Sequence, residues 1–293
     1  MRALVRLAAA CALALPAAAQ DRPVVVADSY PMAYFAERLA GDAAEVRLAV
    51  PEGRDPASWR PALADITAIQ GADLIVLNGS GLADWTSRAA LPRSRTVDTG
   101  RGLAGELIAT ETITHSHGEE GSHSHEGMAS HTWLDFALAG RQAEALVPAL
   151  GRAVPEADVE AGLAALLSDL AALDAEAEAL VEGDPVPVIA SHPRYEYLGR
   201  AYGLEISALD WEVGAMPDAA QLAALEALAV ETGARVLIWE AEPPAEARDA
   251  VDALGLAQAV VQPLAMPPSE GGFVEAMRDG LDALKAALAE VDS

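Results

Sequence analysis

Histidine supplies the most localised chemical signal in this chain. Of its six histidines, five (His115, His117, His123, His125 and His131) fall in one short stretch, and His192 stands apart. Neutral imidazole is a borderline donor that suits zinc, nickel and copper. Two His-Ser-His units, at 115–117 and 123–125, are flanked by Glu119, Glu120 and Glu126, so nitrogen and oxygen donors occur together. The tract has no apolar period and is expected to be a mobile loop that captures metal without preorganising a tetrahedral site. Its bland reading is a solvated insertion that only looks like a metal tract.

His131 and His192 differ from the other four. His131 stands in Ser130-His131-Thr132-Trp133-Leu134-Asp135, where the tract ends and helical patterning begins. His192 stands in Ala190-Ser191-His192-Pro193-Arg194-Tyr195, directly after an apolar run. Two anchored imidazoles facing across a cleft share one metal ion; taken singly, each is an ordinary polar loop residue.

Rigid positions for those two side chains have to come from the flanking elements. Val24 to Ala27, Val46 to Val50 and Asp73 to Leu77 have strand character, and Pro31–Leu39 and Leu63–Gln70 read as helices between them. Helical patterning resumes from Thr132 to Ala153. A stripe of Val159, Leu163, Leu166, Leu170, Leu173, Ala177 and Leu180 then predicts one long helix from Pro155 to Val181, roughly 40 Å at about 1.5 Å per residue. Strand candidates at 187–190, 204–209, 235–239 and 259–261 alternate with helices up to a closing helix over 270–290. Alternation of this kind indicates parallel sheets with helices on their faces. The expected fold is α/β: two doubly wound lobes joined by one long helix, with a metal cleft between the lobes. The expected boundaries are 20–154 for the N-terminal lobe (its His-rich loop at 114–130), 155–183 for the linking helix and 184–293 for the C-terminal lobe. In open α/β sheets ligands sit beyond the carboxyl ends of the strands, where both anchored histidines fall.

Composition narrows the partners. The chain has 293 residues, 52% of them apolar, which excludes wholesale disorder. Its formal net charge of −26 repels phosphate backbones and anionic lipid, so nucleic acid is not an expected partner. Arg2 and Arg6, an apolar run from Leu7 to Pro16, and Ala17-Ala18-Ala19 read as a signal peptide over residues 1–19. Cys11, the single cysteine, lies inside it. The mature chain then holds neither a disulfide nor a thiolate metal site, and loss of both arginines takes the net charge from −26 to −28. An exported soluble protein is expected, in a bacterial periplasm. The triplet Asn78-Gly79-Ser80 matches a glycosylation acceptor but is too short to decide the compartment.

An ordered set of segments resembles the zinc-type periplasmic solute-binding proteins of metal ABC importers (the cluster A-I family). These are Pro51-Glu52-Gly53-Arg54-Asp55-Pro56, Ala72 to Leu82, the His-rich tract and Ser130 to Asp135. Ser191 to Leu198, Ala201-Tyr202-Gly203-Leu204, Trp239-Glu240-Ala241-Glu242-Pro243 and Val261-Gln262-Pro263-Leu264 complete the set. The resemblance covers essentially all of the mature chain. It implies an ion held between the lobes, with His131 and His192 matching the second and third ligand histidines. Two positions depart from the pattern: Ala57 stands where the family usually has histidine after Asp-Pro, and Gln262 where it often has aspartate. Alanine cannot ligate and glutamine is a poor zinc ligand. The implied substitutes are Glu240 or Glu242, a histidine of the tract, or water; His131, His192 and Glu240 form the expected ligand set. Arg60, if it points inward, repels a dication, and Trp59 fills the volume of the missing imidazole, so both are expected on the cleft wall. Trp85, Trp133, Trp211 and Trp239 read as core or cleft-wall packing, and Glu212 as a solvated acid or a partner to a histidine.

The expected function is therefore a non-enzymatic, monomeric periplasmic component of an ABC importer. It captures Zn2+ and delivers it to an inner-membrane permease, with His115, His117, His123 and His125 scavenging zinc. The competing readings are a zinc buffer or chaperone that uses the tract, an exported zinc-dependent hydrolase, and a paralogue binding a non-metal ligand near Trp59 and Arg60. Against the hydrolase, no His-Glu-x-x-His helix and no Gly-x-Ser-x-Gly elbow is present.

Overall fold

The computed structural model describes residues 22–117 and 121–291, with side chains outside 111–127. The expected leader over residues 1–19 lies outside the described residues.

The first sheet is built from short apolar runs. Strands β1 (Val24–Ala27), β2 (Glu45–Leu48), β3 (Leu74–Leu77) and β4 (Thr96–Asp98) pair in parallel in the order β2-β1-β3-β4. Val25 stands between Val46 and Leu74 in register. Helix α1 (Tyr30–Ala40) follows β1, and α2 (Leu63–Gln70) precedes β3. Strand β4 escapes a sequence reading because it is three half-buried residues at a sheet edge, too short for a period.

Where an irregular loop is expected, the backbone pairs instead. Strands β5 (Ala109–His117) and β6 (Gly121–Met128) form an antiparallel two-stranded sheet, with His115 opposite His123 and Ile113 opposite His125. Thr110, Thr112, Ile113 and Thr114 are β-branched, and that strand preference outweighs the missing apolar alternation.

Helix α3 (Phe136–Ala153) comes next, and α4 (Val159–Glu178) is the expected long helix. Its start is four residues later than Pro155, because Asp158 caps it by accepting the Ala161 N–H at 3.1 Å. Its twenty residues make it about 30 Å long. Leu166, Leu170, Leu173 and Ala177 are its buried stripe, as the spacing predicts. Gly162 is the point of closest approach to α1: a Cβ there would lie 2.8 Å from the Leu39 Cα.

The second lobe repeats the plan. Strands β7 (Val186–Ala190), β8 (Leu204–Ala208), β9 (Val236–Trp239) and β10 (Ala257–Val260) are parallel in the order β10-β9-β7-β8. Helices α5 (Glu196–Tyr202), α6 (Ala219–Thr232), α7 (Ala245–Asp252) and α8 (Phe273–Val291) surround it. One hydrophobic cluster joins Val25 and Val76 of the first lobe, Leu166 and Leu170 of α4, and Val188 and Ile238 of the second. Helix α4 touches α1 and α3 on one side and α5 and α8 on the other, so it ties the lobes through packed side chains. Among the described residues no helix is long and apolar enough to cross a membrane.

Candidate metal centre

Each sheet order reverses once, and that reversal opens a crevice at the carboxyl ends of the strands. In the first sheet it falls between β1 and β3, whose next residues are Asp28 and Asn78. In the second it falls between β7 and β9, whose next residues are Ser191-His192 and Glu240. The two loops are stitched together: Ser191 N–H donates to the Ile238 carbonyl at 2.8 Å, and Glu240 N–H to Ser191 Oγ at 3.2 Å. Strand order alone therefore brings His192 and Glu240 to one crevice.

His131 is held from the first lobe by a buried polar network. Asn78 Nδ2 donates to the Ser130 carbonyl at 3.0 Å, and Gln142 Nε2 donates to Asn78 Oδ1 at 2.9 Å. Thr132 Oγ1 closes the network, 3.0 Å from Gln142 Oε1. Asn78 is fully buried, so the acceptor triplet is an internal support of the site and its side chain is shut away from modification. Next in the chain, the Trp133 ring lies 4.9 Å from the His131 ring, and its indole N–H donates to the Pro263 carbonyl of the second lobe at 2.6 Å. Asp135 ends the segment as the cap of α3, accepting the Leu138 N–H at 3.0 Å.

Between the lobes lies a cleft of about 660 Å³, lined by Asp55, Arg194, Glu212, Glu240 and Gln262 among others. Arg194 is its centre of charge. Its Nη2 is 2.5 Å from Asp55 Oδ2 and its Nε 3.5 Å from Glu240 Oε1. Burial pushes the Asp55 carboxyl up, but Arg194, the Ala57 N–H and His131 outweigh it and hold the group well below the usual carboxylate range. Burial pushes Glu240 up, with Asp55 adding to the rise and Arg194 opposing it. Arg194 stays charged: burial disfavours the cation, yet Asp55 and Glu240 raise its pKa above the ordinary value. Glu240 Oε2 is buried with no hydrogen-bond partner among the described residues. A buried carboxylate oxygen without a donor is rare in a folded protein and suits one awaiting a cation.

His131 and His192 are both 3% exposed, at the strand-end and helix-start positions their sequences predict. His192 Nδ1 lies 3.6 Å from Asp210 Oδ1, so Asp210, and not Glu212, is the acid beside that imidazole. Glu212 is an exposed residue of the cleft wall. Neither histidine lines the open part of the cleft, and among the described residues no three His, Cys, Asp or Glu side chains form a cluster able to hold an ion. His131, His192 and Glu240 are thus carried to the same region by three separate loops without converging on one point, and Arg194 stands among the carboxylates.

Trp59 and Arg60, expected on the cleft wall, lie elsewhere. They line a second cavity of about 490 Å³ within the first lobe, with Ile66, Trp85 and Arg88. The Trp59 and Trp85 rings meet edge to face at 5.8 Å, and this apolar contact draws the loop toward α2, away from the lobe interface. Ala57 is buried in the core, and Gln262 lines the interlobe cleft. The side chains of His115, His117, His123 and His125 lie outside the described residues.

Sequence reasoning passes over Asp55, Arg194 and Asp210. Asp55-Pro56 and His192-Pro193-Arg194 stand in plain view, but an arginine two residues from a ligand histidine does not by itself signal an ion pair across 139 positions.

The family described as zinc-uptake complex component A, periplasmic (ZnuA), matches residues 25–287. The zinc-binding lipoprotein AdcA of Streptococcus pneumoniae is 31% identical over 234 residues, covering 75% of this chain and 46% of that protein. The high-affinity zinc uptake system protein ZnuA of Bacillus subtilis is 26% identical over 288 residues, 92% of this chain and 88% of that one. The chain thus spans about half the length of the AdcA relatives it matches. Among solved structures, the Zn(II)-bound ZnuA-like domain of Streptococcus pneumoniae AdcA superimposes with a TM-score of 0.75 at 23% identity, covering 91% of this chain and 99% of that one. That likeness establishes the two-lobed α/β fold.

Proposed function

Because the chain belongs to the periplasmic zinc-uptake complex component A family, we propose that it is the zinc-binding component of an ABC importer. It takes Zn2+ between its lobes and hands it to an inner-membrane permease, without catalysis and as a monomer. The leader over residues 1–19 exports it to the periplasm and is removed. His131, from the N-terminal lobe over 20–154, and His192 and Glu240, from the C-terminal lobe over 184–293, supply the ligands; the segment 155–183 joins the two. Two imidazoles and one carboxylate satisfy zinc and leave a position open for water or a further donor.

The observation that carries this reading is Glu240 Oε2, buried without a donor at the mouth of the same strand-order reversal as His192. His192 Nδ1 faces the Asp210 carboxylate at 3.6 Å, an ion-pair rather than a hydrogen-bond distance.

The pairing of His115 with His123 across the β5–β6 hairpin supports a subsidiary capture role for the tract. Zinc titration of metal-stripped protein separates the two sites. The wild-type chain binds one ion tightly and further ions weakly. Deletion of residues 115–125 removes only the weak binding, and His192→Ala removes the tight site. Loss of all binding on the deletion would make the protein a zinc buffer built on the tract instead.

A further inference from the structure

Arg194 divides the carboxylates of the cleft into one that is fully engaged and one that is half engaged. Asp55 Oδ1 accepts the Ala57 N–H at 2.8 Å, and Asp55 Oδ2 accepts Arg194 Nη2 at 2.5 Å. Glu240 Oε1 faces Arg194 Nε at 3.5 Å, while Oε2 has no hydrogen-bond partner among the described residues. We propose that Arg194 determines metal specificity: its guanidinium withholds Asp55 and leaves the ion one carboxylate oxygen beside two imidazoles, which favours zinc over oxygen-preferring divalent ions such as manganese. The inference rests on the zinc reading above.

The chemistry follows from donor preference. Imidazole suits zinc, while carboxylate, carbonyl and water suit manganese, magnesium and calcium. A cleft with both Asp55 and Glu240 free would present hard oxygens and two negative charges to any dication. With Arg194 in place, the three side chains sum to a single negative charge, and one carboxylate is saturated from both sides. Arginine fits this task better than lysine, because its planar fork holds a second group while its first donor stays on Asp55. The Arg194 side chain is 6% exposed and that of Asp55 31%, so water screens the arrangement only in part.

The test titrates metal-stripped full-length protein with Zn2+ and, separately, Mn2+ by calorimetry. The variants are Arg194→Gln, Arg194→Lys and Arg194→Gln with Asp55→Asn, each checked for folding by circular dichroism. In Arg194→Gln, manganese affinity rises about tenfold or more and zinc affinity rises less, so the zinc-over-manganese ratio shrinks. Arg194→Lys shrinks the ratio in part, because one ammonium does not hold both acids; it keeps the test alive should Arg194→Gln not fold. The double variant returns the ratio toward wild type, since the released carboxylate is gone. An unchanged ratio in Arg194→Lys and Arg194→Gln overturns the inference, as does a shrunken ratio that persists in the double variant. Absence of zinc binding by the wild-type chain would instead overturn the function from which the inference starts.

Discussion

Arg194 Nη2, on the loop after β7, lies 2.5 Å from Asp55 Oδ2, on the loop after β2. The contact joins the two lobes across the cleft by a charge-assisted hydrogen bond. It makes the cleft a place where a protein cation already neutralises protein anions, and it links lobe closure to the chemistry of the ligands. Any ion entering between Asp55 and Glu240 competes with that guanidinium.

Asp55→Asn leaves Arg194 facing Glu240 alone, at 3.5 Å from its Oε1. Breaking a buried pair from one side costs about 3–5 kcal/mol. The Asp55 side chain is 31% exposed, so we expect roughly 2–3 kcal/mol by urea unfolding at pH 7. The sign with pH follows from the depressed Asp55 pKa. Its stabilisation is complete above the unfolded value near 4 and is lost as the pH falls below it. The gap between wild type and variant therefore narrows on acidification from pH 5 to pH 2, and a constant gap would show that the ion pair contributes nothing.

Asn78→Ala tests how His131 is held. The substitution strands the Ser130 carbonyl, and Gln142 Nε2 loses its 2.9 Å acceptor. Unmet buried polar groups cost about 1–3 kcal/mol each. Stability falls by about 2–4 kcal/mol on that basis, and zinc affinity falls with it although Asn78 itself offers the ion no ligand. Asn78→Asp, which keeps one acceptor for Gln142 but no donor for Ser130, recovers only part of either loss. Unchanged zinc affinity in the folded alanine variant would count against the network as the positioner of His131.

Trp133 joins the lobes beside His131. Its indole N–H meets the Pro263 carbonyl at 2.6 Å and its ring is fully buried. Trp133→Phe keeps most of the packing and loses the hydrogen bond, at about 1–3 kcal/mol with the carbonyl left unsatisfied. Trp133→Ala adds a cavity and costs about 3–5 kcal/mol. Thermal melts distinguish the two variants, and equal losses would mean that the hydrogen bond rather than the volume carries the contact.

The alternation of apolar runs with amphipathic stretches was enough to read seven of the eight parallel strands, all but β4, because a buried parallel strand is a short run of Val, Ile and Leu, as in Leu74–Leu77 and Val236–Trp239. The long helix was legible from its leucine stripe; its start is displaced to Val159 by the Asp158 cap, and its end falls at Glu178, three residues before the expected Val181. His131 and His192 were legible because strand ends and helix starts are marked locally. The Asp55–Arg194 pair was not, because it joins residues far apart in the chain whose meeting depends on how the lobes dock. Trp59 and Arg60 went to a different cavity for a related reason: the edge-to-face contact with Trp85 is set by the turn at Asp84–Ser87, which carries no signal at position 59. The β5–β6 pairing was hidden by a composition that reads as polar tract while its threonines favour extended backbone.

Asp28 is the group from which a pH dependence of the opposite sign is expected. It ends the approach to the first switch point, is 2% exposed, and lies with both carboxyl oxygens 3.0 Å from the Asn78 N–H. Burial raises its pKa from the ordinary 3.8 to about 7, against the lowering effect of the Asn78 and Ser29 hydrogen bonds. Between those two values the folded chain holds a proton that the unfolded chain has released. The stabilisation from this group is therefore whole below about pH 4 and is lost as the pH climbs through 7. Asp28→Asn carries no such proton, keeps an acceptor oxygen for the Asn78 N–H, and is indifferent to the climb. Urea unfolding at pH 4, 5.5 and 8 should show the variant gaining on the wild type as the pH rises, by on the order of 2–4 kcal/mol in total. A difference that does not change with pH would mean that Asp28 is ionised throughout and that its two neighbours, not burial, set its charge.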